Sequence, residues 1–227
     1  MTMLQDRLLA ALRNAAEPAR APAMQAYMKS AMPYLGVQAV PLRVVCKAVF
    51  GDLSYADSAA WQADVLAIWR GAAFREERYA AIELTGVRAA RAFQMMGALA
   101  LYQEMIVTGA WWDYVDVLAS QRLWAILKAD PRTMKPAMLA WAKGADMWKA
   151  RSAILCQLNA KDATDRHFLR ACIKPSLASN EFFLRKAIGW ALRQYARTDP
   201  DWVRDYVTEH DADLSPLSKR EAMKHLA

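Results

Sequence analysis

The stretch Glu181-Phe-Phe-Leu-Arg-Lys-Ala-Ile-Gly-Trp-Ala-Leu-Arg-Gln-Tyr-Ala-Arg197 carries the sharpest periodicity in the chain. At ~100° per residue, Phe182, Lys186, Trp190, Arg193 and Arg197 fall in one stripe about 80° wide. Leu184, Ala187, Ile188, Ala191, Leu192 and Tyr195 gather on roughly the opposite side and form the expected core face. Trp190 therefore belongs to the cationic side of a helix. Gly189 costs roughly 1 kcal/mol of helix propensity, but it removes bulk beside Trp190 and permits close helix packing. A stripe mixing rings with Lys and Arg suits a phosphate backbone whose sugars or bases pack on the rings. It equally suits a solvated basic face whose tryptophan lies flat on a neighbouring helix.

The start of this helix recurs. A basic residue opens a small, apolar run at Arg151-Ser-Ala-Ile-Leu, Lys186-Ala-Ile-Gly-Trp and Arg220-Glu-Ala-Met, with steps 186 − 151 = 35 and 220 − 186 = 34. Arg78-Tyr-Ala-Ala-Ile lies 151 − 78 = 73 residues upstream, about two such steps. Periods of this size belong to paired-helix repeats that stack into a solenoid with one concave face. The member missing between Arg78 and Arg151 falls near position 115, where Trp111-Trp112-Asp113-Tyr114-Val115-Asp116 stands. Residues four apart share a helix face, which puts the Trp112 ring beside the Asp116 carboxylate. An indole face next to a carboxylate can stabilise a positive charge from two sides. Taken alone, the segment reads more simply as a helix start with buried indoles and a solvated acid.

The rest of the chain agrees with an all-α reading. Ala, Leu, Met, Arg, Lys and Glu dominate, and only 8 of the 227 residues are glycine. Helix-period patterns recur and alternating strand patterns do not. Breaks fall at Glu17-Pro18, Gly51-Asp52, Ala129-Asp130-Pro131, residues 159–165, Ser179-Asn180, Thr198-Asp199-Pro200 and residues 211–216. Several supply Asp, Ser or Asn for helix N-caps. The expectation is about a dozen helices of roughly ten to eighteen residues in one domain spanning residues 1–227.

A formal charge of +7 points towards a polyanionic partner. No apolar run approaches the ~18–20 residues needed to span a bilayer, and the N-terminus lacks the pattern of a signal peptide. Cys46, Cys156 and Cys172 are odd in number and far apart, and His167, His210 and His225 make no ligand spacing with them. No disulfide framework, metal or cofactor is expected, and a reducing cytoplasm fits.

Taken in order, several segments resemble the AlkD-type DNA alkylation repair glycosylases, an all-helical family of HEAT-like repeats. They are Ala26-Tyr27-Met28-Lys29, Tyr34-Leu35-Gly36-Val37 with Pro41-Leu42-Arg43, and Ile106-Val107-Thr108 leading into Trp111 to Asp116. Further along come Trp148 to Leu155, Glu181-Phe182-Phe183 to Arg193-Gln194-Tyr195-Ala196, and Pro216 to Ala222. The resemblance implies a superhelical solenoid with a concave basic face. It also implies hydrolysis of the N-glycosidic bond of N3- or N7-alkylated purines in duplex DNA, without an enclosing base pocket. It assigns Asp116 as the catalytic carboxylate, Trp112 and Trp190 as packing on the lesion deoxyribose, and Arg151 as a holder of backbone phosphate. Tyr27, Phe183 and Arg193 join the contacts around the lesion. Arg43, Phe182, Lys186, Arg197, Lys219 and Arg220 complete the expected DNA-binding set. Asp113 is expected to serve the helix start. No lysine stands out as a Schiff-base nucleophile, so a monofunctional enzyme is expected; a monomer is the default expectation, with no obligate protein partner and no membrane. Gln38-Ala39-Val40 lengthens the loop after Val37 by about one residue relative to some relatives, which leaves nearby phosphate contacts open. Two alternatives remain: a non-catalytic repeat protein that binds damaged or branched DNA, and a scaffold for protein partners.

Overall fold

The computed structural model describes residues 2–226; Met1 and Ala227, the ends of the expected span, lie outside it. Its described residues form 14 α-helices, with connections that reach thirteen residues between α5 and α6, where two 3-10 turns lie, and no strand occurs among them. The chain divides into two compact units, Met1–Leu101 and Tyr102–Ala227.

The first unit holds α1 (Met3–Asn14), α2 (Ala21–Met28), α3 (Ala39–Phe50), α4 (Ser58–Gly71) and α5 (Arg75–Thr85). Thr2 and Asp57 cap α1 and α4 by accepting from the Gln5 and Ala60 amides, satisfying donors that a helix start leaves open. Leu8, Leu12, Trp61, Val65, Ile68, Trp69 and Leu84 fill the core. Residues 35–37 are clamped from α5: the buried Glu76 carboxylate accepts from the backbone amides of Leu35, Gly36 and Val37 at 2.9–3.0 Å. Gly36 has φ +87°, and a Cβ there would meet the Glu17 carbonyl oxygen at 2.0 Å. Only glycine takes this turn without strain. Of the expected loop after Val37, only Gln38 lies outside the helix: it is the N-cap of α3, and Ala39 and Val40 form its first turn.

The division falls within α6 (Leu99–Gly109). The second unit continues with α7 (Trp112–Val117), α8 (Trp124–Ala129), α9 (Pro131–Lys143), α10 (Met147–Leu155) and α11 (Arg166–Ile173). It closes with α12 (Phe182–Tyr195), α13 (Pro200–Glu209) and α14 (Pro216–Met223). The sequence period reappears here as geometry. Helices α7, α10, α12 and α14 begin at 112, 147, 182 and 216, steps of 35, 35 and 34. Helices α9, α11 and α13 begin at 131, 166 and 200, each directly after an aspartate N-cap: Asp130, Asp165 or Asp199. Those caps are linked from repeat to repeat. Lys135 of α9 donates to Asp165 at 2.6 Å and Arg166 of α11 to Asp199 at 3.2 Å. The Lys135 ammonium holds the Asp165 carboxyl below its ordinary range.

Two expectations need correction. Helices α2, α7, α8, α10, α11 and α14 fall short of ten residues, down to 6 in α7 and α8, while the longest, α4 and α12, reach 14. On α12, Leu184, Ala187, Ile188, Ala191 and Leu192 are buried as read, but Tyr195 is only partly so. Its ring stands edge-on against Trp202 of α13, 5.3 Å between centroids, where a phenol can keep one end in water. The three cysteines are free and buried. Burial pushes the Cys46 and Cys172 thiols up to about 12, which leaves them poor nucleophiles. Among the described residues, no helix is long and apolar enough to cross a membrane.

Candidate active site

The site begins in one rod, residues 112–129. Helix α7 runs into a π-helical turn, Leu118–Leu123, and then into α8. A π turn loosens the regular hydrogen-bond ladder, so carbonyls need other partners. Two are supplied. The Ser120 hydroxyl donates to the Asp116 carbonyl at 2.6 Å, and the Asn159 side-chain amide, from the turn after α10, donates to the Ser120 carbonyl at 2.9 Å. The irregular turn begins two residues after Asp116.

Asp116 faces Arg151 of α10. Arg151 Nε and Nη2 donate to the two carboxylate oxygens, each at 2.8 Å, and Nη1 donates to the Phe183 carbonyl in the first turn of α12 at 2.6 Å. Asp116 is 8% exposed and Arg151 4%. The forked guanidinium thus ties α7, α10 and α12 at one point, with its Cζ 5.9 Å from the Phe183 ring centroid. Burial pushes the Asp116 carboxyl above its ordinary value; Arg151 pulls it back in part, and Asp113 adds to the rise. Each carboxylate oxygen keeps a second lone pair for a water or a developing positive charge. The sequence reading gave Arg151 to DNA phosphate. In the structure it is buried, and its Nε, Nη1 and Nη2 donate to Asp116 and the Phe183 carbonyl, so it fixes the orientation of Asp116.

The rings sort into two groups. Trp111, Trp148 and Phe183 form a cluster with centroid separations of 4.9–6.2 Å, and Phe182 packs edge-on against Phe183 at 5.4 Å. Trp111, at the N-cap of α7, is an anchor the sequence reading passed over; it precedes the repeat's helix as Trp148 and Phe183 open theirs. Trp112 and Trp190 are only partly buried. Trp112 shares its helix face with Asp116. Phe182 is 57% exposed. Asp113 accepts from the Tyr114 amide at 3.0 Å in the first turn, where its charge complements the helix dipole.

The expected cations separate by environment. Lys186 donates to Glu221 of α14 at 2.9 Å, and Arg193 donates to the other oxygen of the same carboxylate. Lys219 pairs with Asp211 at 2.7 Å. Arg197 and Arg220 are exposed. In the first unit, Tyr27 of α2 is 78% exposed, and Arg43 of α3 is exposed beside an open cavity of about 630 Å³. Glu221 was missed because the period was matched on the cation at 220, one residue before the position that bonds Lys186. Counting 35 from Lys186, as from Asp116 to Arg151, lands on Glu221.

A family model described as "DNA alkylation repair enzyme" matches residues 8–226. No curated protein matches the chain significantly in sequence. Among solved structures, one described as a predicted DNA alkylation repair enzyme from Enterococcus faecalis is similar over 93% of this chain and 97% of its own. It superposes with a TM-score of 0.83 at 29% identity.

Proposed function

The chain belongs to the family of DNA alkylation repair enzymes, and from that premise we propose that it is a monofunctional glycosylase releasing cationic N3- or N7-alkylated purines from duplex DNA. The observation that carries this reading is the buried Asp116 carboxylate, fixed in orientation by Arg151 and sharing a helix face with Trp112.

Alkylation at N3 or N7 places a formal positive charge on the purine. When the glycosidic bond breaks, its electron pair leaves with the base, which departs neutral. The positive charge passes to the sugar as an oxocarbenium-like species. A carboxylate already oriented there stabilises the charge without reorganising, and it can accept the proton of the water that attacks the sugar carbon. Indole faces add roughly 0.5–2 kcal/mol each to cation stabilisation. Trp112 and Trp190 take this role against the deoxyribose. The leaving group needs no general acid, which fits a site built without histidine. Arg151 acts through Asp116, and phosphate contact falls to exposed cations such as Arg197 and Arg220 with Phe182 beside them. Tyr27 and Arg43 of the first unit are proposed as further DNA contacts.

The test is release of free 7-methylguanine from methylated duplex DNA by the purified protein. Time-dependent release with one product per turnover supports the reading. Salt-sensitive binding to the duplex with no base released identifies a non-catalytic DNA binder and overturns it.

A further inference from the structure

Glu221 stands where α14 packs tightly against Gly189 of α12. A Cβ built on Gly189 would lie 2.5 Å from the Glu221 Cβ and 2.9 Å from the Ser218 carbonyl oxygen. The missing side chain therefore lets α14 approach until one carboxylate reaches both Lys186 and Arg193. These cations lie four residues before and three after Trp190, on its own face of α12. The Glu221 side chain is only 14% exposed, whereas those of Lys186 and Arg193 are 37% and 23% exposed. The carboxylate thus sits beneath the cations.

We infer that Glu221 is a specificity-determining residue: by holding Lys186 and Arg193, it leaves Trp190 flanked by one net positive charge instead of two and so limits the grip of this face on undamaged DNA. The inference rests on the proposed reading as a DNA repair glycosylase. Partly exposed ion pairs add little to stability, so fold maintenance is a weak reason to neutralise two cations on a DNA-facing stripe. Their effect on DNA binding is larger, because each phosphate neutralised adds about 0.9 to the slope of log affinity against log salt. A repair enzyme meets undamaged duplex in vast excess, and every sequence-independent contact strengthens that competing state.

The experiment measures affinity for undamaged duplex between 50 and 200 mM salt for the full chain. The variants are E221Q and, as control, E209Q, which removes an equal charge from the Arg170–Glu209 pair between α11 and α13. E221Q is expected to have a slope steeper by about 0.9–1.8, an additional affinity loss of up to roughly tenfold across that range. E209Q is expected to keep the wild-type slope. Equal slopes for E221Q and wild type, or equal changes in the two variants, overturn the inference while leaving the proposed function standing. Wild-type binding that ignores salt overturns both. The double variant E221Q/K186Q lacks the repulsion between freed cations and is expected to fold even where E221Q does not. It should bind with the wild-type slope; a slope shallower by about 0.9 contradicts the inference.

Discussion

Asp116 and Arg151 bear on both stability and chemistry. Their bidentate pair is buried, and a buried pair is dangerous to halve, because the remaining charge has neither water nor partner. Arg151→Met also strips the Phe183 carbonyl of its donor. It is expected to cost about 3–5 kcal/mol in urea unfolding and to abolish excision. The Asp116 carboxyl is raised by burial, and only its ionised form can stabilise a cation. Single-turnover excision is therefore expected to fall as pH drops through a value above the ordinary aspartate range. A profile flat down to that range would contradict the assignment. The sign for folding is opposite to that of a paired surface acid. A raised carboxyl favours the protonated fold, so its contribution is full at low pH and is lost as pH rises through the raised value. The sequence showed that Asp116 stands where neighbouring repeats carry a cation. It did not show that successive repeat positions touch, and that contact is what pairs Arg151 with the acid.

Helices and their junctions were legible where the chemistry is local. The aspartate caps at 130, 165 and 199 and the breaks around them can be read from a few adjacent residues. Asp165→Ala is expected to lower stability by about 1 kcal/mol in chemical denaturation, as cap removal does elsewhere. Asp165 and Glu221 are both held below their ordinary carboxyl range by basic partners. Their contribution is full above that range and fades as pH falls through the lowered values, so loss of stability below the ordinary carboxyl range should be smaller in the corresponding amide variants. The π turn after Asp116 was not legible. It depends on Ser120 and on Asn159, 39 residues away, and the 112–129 pattern alone reads as regular helix. Gly189 was legible as a site of close packing, though its partner was not. Gly189→Ala should gain ~1 kcal/mol of helix propensity yet lose about 1–3 kcal/mol to overpacking against α14, for a net loss in urea titration.

At the scale of the molecule, a repeat of about 35 residues in the second unit brings together residues far apart in sequence. Asp116 and Arg151 meet across one step, and so do Lys186 and Glu221. The charge of +7 pointed to a polyanion, but which cations remain exposed depends on contacts between repeats. Arg197 and Arg220 face solvent, while Lys186, Arg193 and Lys219 have acidic partners. If, as proposed, a cationic leaving group replaces acid catalysis, neutral lesions should be excised far more slowly than 7-methylguanine in the same duplex. The central proposal is that the oriented carboxylate of Asp116 stabilises the sugar cation formed as the glycosidic bond breaks, and Asp116→Asn tests it most directly. With salt-dependent duplex affinity kept near the wild-type value, single-turnover release of 7-methylguanine is expected to fall by about 10²–10³-fold, the usual loss when one preorganised stabilising group is removed. Wild-type release by that variant would contradict the account.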